Sequence, residues 1–569
     1  MVMDELRTAR QKIEQRLLSA RNVKGFWTGR LSSSALSTAT AISALSLGKS
    51  SDSKLIENGL RWLAACQNAD GGWGDTDRSP SNLPTTLLAC AAFSIAERES
   101  GFRKTIERAG NYTAGHAGRT SGEVIAALRK IYGEDRTFIV PILMNLALAG
   151  KIEWGKVPSL PFEIAALPFA FYRIIKLPVV SYALPALIAI GHAAHFKKGG
   201  TNILKSLTRN ATLAKLRKIQ PESGGYLEAV PLTAFVSMGI ISVYGAQNPV
   251  AANGLRFLRE SVRPDGSWPI DSDISVWLTT QAVQALPDDA GAKEWLLGIQ
   301  NKSRHKYTDS PPGGWGWSNL SGSVPDADDT SGALIALHGF GAGENASAAK
   351  KGARWLLDLQ NSDGGFPTFC RGWMKLPFDK SSADITAHAL RALSLWKHHF
   401  YHDEINRATR RALEFLELNQ NKDGSWSPLW FGSHYAPDIS NRTYGTARAL
   451  VMYRELGLAG TVEAMLGTEY LIKTQNTDGS WGGVAGAPGT IEETSLAVLA
   501  LFGCAGEAYA AWSRGVEYLK KRVIKNELEP APIGLYFQSL WYYEELYPLI
   551  WGAAALKTAA EDATHRREI

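Results

Sequence analysis

One short pattern recurs along this chain and limits what it can fold into. In most copies an aromatic–leucine pair is followed by Gln-Asn, then by a glycine-containing turn, then by an aromatic residue. Clear copies end at Trp73, Trp268, Trp315, Phe366, Trp426 and Trp481, and a degenerate copy ends at Tyr226. From Trp268 onwards the spacing is about 50 residues, which is typical of a repeat architecture.

Each repeat is predicted to form a helix, a turn and a second helix. Turn glycines such as Gly71 allow positive φ, and the aromatic ring can pack under the following helix. The glutamine side chain can bond backbone groups that a helix end leaves free. Few segments alternate with period two, so we expect an all-α fold. Helix pairs stacked in a ring would form a closed toroid around an interior cavity.

Length and composition narrow the functional classes. The 569 residues suffice for two large domains, and 45% hydrophobic residues provide an ample core. The net charge of +6 is weak evidence for nucleic-acid binding. Four widely separated cysteines form no CxxC pair or disulfide framework, which favours a reducing compartment. The first helix is charged and amphipathic and lacks an apolar signal region, so we expect no secretion.

An acidic motif interrupts the repeats. Asp326, Asp328 and Asp329 stand within four residues, immediately before an apolar helical pattern that Asp329 or Thr330 can cap. The positive end of that helix would face the carboxyl groups. Crowding should keep at least one carboxyl group protonated, and a neutral carboxylic acid in a dry site is a proton donor. The alternative is a solvated, aspartate-rich turn that only caps the helix.

A second candidate for chemistry lies one repeat further on. Asp384 and His388 are four residues apart, so they share one face of a predicted helix. A carboxylate can orient an imidazole, and the imidazole can then bond an acid. The alternative is a surface Asp/His pair without a role in catalysis.

Two apolar runs and a basic stretch suggest a lipid surface. The run 177–194 is long enough to span a bilayer, but Pro178 and Gly191 favour a buried core helix. In the following stretch, lysines and arginines alternate with Ile203, Leu204 and Leu207, and no acidic residue occurs in 164–221. This pattern predicts an interfacial helix on an anionic bilayer, with an ordinary solvated basic face as the alternative.

The repeats and the acidic motif together resemble one enzyme family. The Q-x-x-x-G-x-W copies resemble the QW motifs of squalene-hopene and oxidosqualene cyclases, and Asp326–Thr330 resembles the DxDDT motif of the squalene branch. The resemblance extends from Trp27 to Pro548 and implies two α-barrel domains with a large cavity between them. By analogy the first barrel is 21–265 and the second is 266–569, with the helix 1–20 docked on the second.

The resemblance also implies an activity. A class II triterpene cyclase of this kind would protonate a terminal alkene of squalene and close it to a hopene- or hopanol-type or related polycycle, with no metal or other cofactor. Asp328 would be the proton donor, with Asp326 and Asp329 tuning it. His388 would hold the donor and would itself be backed by Asp384. Such enzymes are monotopic on the cytoplasmic side of the membrane and are commonly homodimers.

Further positions follow from the same resemblance. Aromatic faces stabilise the cations formed during cyclisation, although each ring taken singly also fits core packing. The matching aromatic residues are Tyr444 near the acid and Trp277, Trp317, Phe369, Trp430, Tyr536 and Tyr543 around the substrate. Pro231 keeps the family residue, whereas Leu177 replaces a tryptophan, Ala229 a larger aliphatic residue and Pro532 a phenylalanine. The number of rings closed and the fate of the last cation therefore stay open.

Three other functions remain possible at this stage. Class II cyclases of prenyl diphosphates also carry DxDD and need a basic, Mg²⁺-binding pocket for the diphosphate. Protein prenyltransferase β subunits share the helical barrel and need a zinc site, for which Cys370, Asp384 and His388 are present but the expected Asp-x-Cys pair is absent. The last alternative is a helical toroid that binds a partner without catalysis.

Overall fold

Helices build nearly all of the structure. The computed structural model describes residues 2–568 apart from 50–51, 134–135, 169–183, 287–289, 373, 375–378 and 536–539. Within these residues the strands are only two or three residues long, so the predicted all-α fold is confirmed.

The helices fall into two sets along the chain. The first set is α1 (Val2–Ser19), α2 (Ala35–Leu47), α3 (Ser53–Ala65), α4 (Leu83–Ile95), α5 (Arg103–Ala117), α6 (Ser121–Tyr132), α7 (Arg136–Leu148), α8 (Leu184–Lys197), α9 (Ile203–Leu207), α10 (Arg209–Ile219), α11 (Val230–Tyr244) and α12 (Pro249–Glu260). The second set is α13 (Ser275–Ala285), α14 (Ala290–Ile299), α15 (Ala327–Gly339), α16 (Ala342–Leu359), α17 (Ala383–Trp396), α18 (His402–Leu418), α19 (Arg442–Glu455), α20 (Val462–Thr474), α21 (Ile491–Leu501), α22 (Gly506–Lys525) and α23 (Tyr547–Glu568). Short 3-10 helices cover Glu99–Phe102, Trp154–Lys156, Phe162–Ala166 and Tyr226–Glu228.

The first barrel closes through five of the described helices. Helices α2, α4, α7, α8 and α11 pack each against the next, and α11 packs back on α2. These inner helices are apolar on nearly every side, as helices enclosed by others must be. Helices α3, α5, α6, α10 and α12 lie outside them, and each buries one apolar face against the inner ring.

The second barrel has six inner helices in the described part of the chain. Helices α13, α15, α17, α19, α21 and α23 form a closed ring, with α23 packed against α13. Helices α14, α16, α18, α20 and α22 surround them, and α1 completes this outer layer by packing on α22 and α23. The first helix of the chain therefore packs on the last two.

Short antiparallel strand pairs join these parts. Strand β1 (Ser33–Ser34) pairs with β2 (Trp268–Pro269), which links the start of the first barrel to the start of the second. Within the second barrel β3 (Trp315–Gly316) pairs with β4 (Pro325–Asp326), so the repeat tryptophan lies opposite the first aspartate. The remaining pairs are β5 (Phe366–Pro367) with β6 (Ser381–Ser382) and β7 (Ile533–Leu535) with β8 (Leu540–Tyr542).

The repeat residues bond the ends of the helices together. In the copy at Trp426, the indole Nε1–H donates to the carbonyl of Leu416 at 2.9 Å, and the backbone N–H donates to Thr446 Oγ1 at 3.0 Å. The Gln420 amide donates to the carbonyls of Gly424 and Glu463. Gly424 in this turn has a left-handed backbone with φ +86°. A Cβ added at this position would lie 2.4 Å from a carbonyl oxygen.

The bond from the repeat aromatic residue to a threonine recurs around both barrels. The threonines that accept it are Thr38, Thr86, Thr233, Thr330, Thr386, Thr446 and Thr494, and Thr279 accepts the same bond from Trp27. We call each of these the repeat threonine of its inner helix. Because each repeat threonine lies near the start of its helix, residues that are equally far from it in sequence lie at the same level of the ring.

The basic stretch was expected to form an interfacial helix, with a solvated basic face as the alternative. Ile203, Leu204 and Leu207 on α9 are 76%, 58% and 75% exposed. Lys205 in the same stretch is buried, and its ammonium donates to Ser159 Oγ at 2.7 Å and to the carbonyl of Leu160 at 2.8 Å. The apolar side chains therefore face outwards and this lysine faces inwards. Among the described helices, none has both the length and the apolar character to cross a membrane.

Candidate functional site

The second barrel gathers the predicted site residues because they share one position in the repeat. On each inner helix we counted two residues back from the repeat threonine. This position holds Trp277, Asp328, Asp384, Tyr444 and Glu492 on α13, α15, α17, α19 and α21. Four of these five residues are ones that the sequence singled out, and the ring of helices brings them to one end of the barrel.

The acidic motif forms the start of α15. Asp326 is the N-cap residue, and its Oδ1 accepts the backbone N–H of Asp329 at 2.8 Å. Burial raises the pKa of Asp326 to about 7, and the neighbouring Asp328 adds to that rise. Burial, followed by repulsion from Asp326, raises the pKa of Asp329 well above its ordinary value. Both shifts favour the protonated acids, so the cluster resists carrying three negative charges.

Asp328 is the member of the cluster that can act on a substrate. It retains accessible surface at a side-chain exposure of 20%, whereas Asp326 and Asp329 are buried. Its Oδ1 lies 2.6 Å from Nδ1 of the buried His388. Burial lowers the pKa of His388, against the opposing effect of Asp328, so the neutral imidazole is favoured. The contact is consequently a hydrogen bond from a neutral ring rather than an ordinary ion pair.

The expected backing of His388 by Asp384 is not present. Asp384 Oδ1 instead accepts the hydroxyl of Ser382, and His388 Nε2 is buried without a hydrogen-bond partner among the described residues. Ser382 lies at the end of β6, directly before α17, so its hydroxyl is close to Asp384. The imidazole of His388 lies one helical turn further along α17. Burial raises the pKa of Asp384 to about 6, with Asp328 contributing to the rise.

A second layer of polar side chains lies one helical turn further along the ring. Arg448 Nε donates to the hydroxyl of Tyr444 at 3.2 Å, and a terminal nitrogen of Arg448 donates to Gln281 Oε1 at 3.4 Å. The guanidinium carbon lies 5.4 Å from the ring centroid of Trp277 and 5.2 Å from that of Tyr444. Arg448 and Gln281 belong to no recognisable motif in the sequence, although both stand two residues after a repeat threonine, as His388 does.

The acidic motif opens into a cavity of about 700 Å³, which we call the acid cavity. Asp326, Asp328 and Asp329 line one wall of it. Its aromatic lining consists of Trp277, Trp317, Phe369, Trp430, Phe431, Tyr542 and Tyr547. The first four of these rings were expected around a substrate, whereas Phe431, Tyr542 and Tyr547 were not. Aromatic faces next to an acid can stabilise positive charge without offering it a nucleophile.

A larger cavity of about 1310 Å³ lies inside the first barrel, and we call it the apolar cavity. Ala229 and Pro231, both expected near a substrate, line it together with Leu36, Leu232 and Phe235. Its other described walls come mainly from α7 and α8. Ile270, directly after β2, lines both cavities, so the two lie side by side at the junction of the barrels.

The remaining expected cavity residues fall elsewhere. Leu177 and Tyr536 lie outside the described residues. Tyr543 does not line either cavity: its hydroxyl donates to Asp77 Oδ1 at 3.0 Å, and Arg78 lies over its ring. Because side chains alternate across strand β8, its neighbour Tyr542 takes the cavity position instead.

One further acid lines the acid cavity and was not anticipated. Asp271 follows Ile270, and burial, then the charges of Glu228 and Asp273, raise its pKa well above the ordinary value. The shift favours the neutral acid, which is a weaker nucleophile than a carboxylate. Sequence gives no signal for this residue because it belongs to neither motif.

The assembled geometry suits proton transfer into a dry space. A half-buried carboxyl group, held by a neutral imidazole, faces a cavity walled by aromatic rings. Neither cavity has a lysine or arginine in its described lining. Within the part of the chain that the structure describes, no cluster of His, Cys, Asp or Glu is arranged to hold a metal ion.

Comparison with known proteins gives the family. The squalene-hopene cyclase N-terminal domain matches residues 11–121, and the squalene-hopene cyclase C-terminal domain matches residues 271–529. The chain is 26% identical over 518 residues to squalene–hopene cyclase of Alicyclobacillus acidocaldarius, which covers 78% of this chain and 77% of that protein.

Two further likenesses cover almost the whole chain. The chain is 24% identical over 662 residues to enfumafungin synthase of Hormonema carpetanum, covering 94% of this chain, but it spans only about half of that relative, 47%. The solved structure of ent-copalyl diphosphate synthase from Streptomyces platensis matches with a TM-score of 0.53 at 20% identity, covering 98% of this chain and 99% of that one, and shows a shared fold. By its two matching domains, the chain belongs to the squalene-hopene cyclase family of class II terpene cyclases.

Proposed function

We propose that this chain cyclises squalene, with Asp328 as the proton donor to a terminal alkene and a hopene- or hopanol-type or related polycyclic triterpene as product. The observation that carries the proposal is the position of Asp328. It is bonded to His388 at 2.6 Å and faces an aromatic cavity. A weak base such as an alkene needs an acid that is aimed and shielded from water, and this arrangement supplies both conditions.

The neighbouring groups support the transfer. When the Asp328 proton moves to the terminal alkene carbon, the carboxyl group is left with a negative charge. His388 in the tautomer with a proton on Nδ1 stabilises that charge by donating to Asp328 Oδ1. The raised pKa of Asp329 favours its neutral form, which does not repel the new carboxylate. Tyr444 stands one repeat further round the ring than Asp384, and its hydroxyl accepts a hydrogen bond from Arg448.

The two cavities support a long hydrocarbon substrate. A polyene whose end lies at Asp328 would pass Ile270 and place its remaining length in the apolar cavity. Trp277 and Phe431 stack near Asp328 with ring centroids 6.4 Å apart, where the first cations form. Holding a flexible chain in the reactive shape is itself a large part of the rate that such an enzyme can provide.

A prenyl diphosphate is the second candidate substrate. Class II cyclases of prenyl diphosphates share the protonation motif, and the fold alone does not separate the two. The described linings of both cavities lack the lysine and arginine side chains that a diphosphate needs, which favours squalene.

We also propose that α9 docks on a lipid surface from which the substrate is taken up. Its side chains Ile203, Leu204 and Leu207 project outwards, as an interfacial helix requires. Leu160 and Leu187, on neighbouring segments, line the apolar cavity. A substrate dissolved in a bilayer would thus have a short way from the membrane surface to the cavity.

Incubation with squalene tests the proposed reaction. Detergent-solubilised protein with EDTA should convert squalene to an isomer or hydrate that gas chromatography–mass spectrometry resolves. Asp328→Asn should abolish the product. Asp271→Asn is the matched control, because Asp271 lines the same cavity and its raised pKa favours the neutral acid, so a neutral amide in its place should retain most activity. Unchanged squalene together with Mg²⁺-dependent conversion of a prenyl diphosphate would overturn the substrate assignment.

A further inference from the structure

Arg448 occupies the repeat position of His388 on the next inner helix. His388 stands two residues after the repeat threonine Thr386 on α17, and Arg448 stands two residues after Thr446 on α19. Both side chains thus lie one turn beyond the layer that holds Asp328. The register of the ring, rather than chance packing, directs a guanidinium group to the acid site.

The surroundings of Arg448 are unusual for a buried cation. The residue is 8% exposed, and its guanidinium donates hydrogen bonds to neutral groups, the hydroxyl of Tyr444 and the side-chain oxygen of Gln281. It forms no ion pair within 4 Å with any carboxylate in the described part of the chain. Burying a charge without a direct counter-ion is costly, so a protein that only needed packing here would be better served by an apolar residue.

Arg448 nevertheless keeps its positive charge. Burial opposes that charge, but Tyr444 and Asp328 outweigh this effect and raise the pKa of Arg448 above its ordinary value. In return, Arg448 contributes, after burial, to lowering the pKa of His388. The other nearby cation, Arg391, is engaged with the carboxylate of Glu455. Among the described residues of the acid site, Arg448 therefore carries a positive charge without a direct counter-ion, beside an imidazole whose lowered pKa favours its neutral form.

We propose that Arg448 is the buried counter-charge of the acid site, a positioning residue that stabilises the Asp328 carboxylate left behind when its proton moves to the alkene. This inference rests on the proposed function. In the step, the π electrons of the alkene form a new C–H bond with the Asp328 proton. The substrate carbon becomes positive, Asp328 becomes negative, and Arg448 keeps its charge throughout. Because the site is dry, a fixed charge acts more strongly there than it would in water.

A comparison of two substrates of different basicity tests the proposal. An epoxide is easier to protonate than an alkene, so it depends less on the strength of the acid. Arg448→Gln should lower kcat for squalene about 10- to 100-fold with little change in KM. The same variant should lose much less activity on squalene 2,3-epoxide. Arg448→Lys retains the charge and should recover most of the activity on squalene.

The ratio of the two activities is independent of how much protein is folded, because both are measured on one preparation. Arg454→Gln is the matched control, since Arg454 is a largely buried arginine on the same helix that bonds only the carbonyl of Leu499 in the described structure. That variant should leave the ratio unchanged. An equal loss on both substrates in Arg448→Gln, or no loss on squalene, would overturn the role of Arg448. A wild-type enzyme inert toward both substrates would overturn the proposed function and this inference with it.

Discussion

Oδ1 of Asp328 and Nδ1 of His388 lie 2.6 Å apart although 60 residues separate them in the chain. The two belong to successive repeats, and the ring of inner helices carries them to the same end of the second barrel. Their contact is the link between the repeat architecture and the chemistry proposed for it.

Replacing His388 should slow protonation without changing the products. His388→Gln removes the ring that bonds Asp328, so the carboxylate formed in the first step loses its partner. We expect turnover of squalene to fall about 100-fold, with product ratios unchanged, in steady-state assays analysed by gas chromatography. His338→Gln is a control, since His338 packs against Trp396 outside both cavities. A full rate in His388→Gln would contradict the role given to the imidazole.

Enlarging Ile270 should separate the two cavities. Ile270→Trp fills the junction that a long polyene must pass, while the acid cavity itself keeps its acid and aromatic lining. We expect conversion of squalene to fall at least 10-fold, whereas farnesol, which is short enough for the acid cavity, should lose far less. Parallel assays of both substrates measure this. Equal losses on the two substrates would show that the chain does not cross at Ile270.

The outward apolar face of α9 should control attachment to lipid. Leu207→Glu places a charge on the exposed face and should lower the bound fraction in co-sedimentation with anionic vesicles by half or more. Leu418→Glu is the matched control, because Leu418 is 82% exposed on the second barrel, far from the basic stretch in the chain. If both variants bind vesicles as the wild type does, α9 is not the docking surface.

Glu492 should make stability depend on pH. Burial, followed by the charge of Glu493, raises the pKa of Glu492 to about 8, above the ordinary glutamate value. The folded state therefore holds a proton that the unfolded state releases, so stability falls as pH rises from about 4.5 towards 8. Glu492→Gln is neutral in both states and can still accept the N–H of Ala531.

We therefore expect Glu492→Gln to raise the unfolding midpoint by a few degrees at pH 8 and by less at pH 5, in scanning fluorimetry at one heating rate. Glu463→Gln serves as a control, because no ion pair or side-chain bond holds Glu463 in the described structure. A larger gain at pH 5 than at pH 8 would contradict the proposed protonation of Glu492.

Much of the fold follows from the repeat because its residues act locally. The glutamine, the turn glycine and the aromatic residue bond the ends of neighbouring helices, so their recurrence predicts helix pairs in a ring. Asp328 and His388 could also be found from sequence, because both belong to recognisable motifs. The hydrogen bonding of Asp384 could not be predicted from sequence, because the strand that precedes the helix places the hydroxyl of Ser382 beside its carboxyl group.

Other features depend on neighbours that are distant in the chain. Lys205 belongs to the basic stretch that the sequence predicts to be interfacial, yet its ammonium group bonds Ser159 and the carbonyl of Leu160. Arg448 went unnoticed because an arginine in a helix is usually exposed. Arg448 is as far from its repeat threonine as His388 is from its own, so the sequence does contain a signal that places the two residues at one level.

The transfer of a proton from Asp328 to the substrate is the central claim, and isotope labelling tests it most directly. Protein equilibrated in D₂O carries deuterium on Asp328. Squalene cyclised in that solvent should therefore gain one deuterium atom in a ring methylene group of the first ring, next to the carbon that carries the two methyl groups, as mass spectrometry and NMR of the product would show. Asp328→Asn should form no labelled product. A cyclised product without deuterium, or a labelled product from Asp328→Asn, would contradict the account.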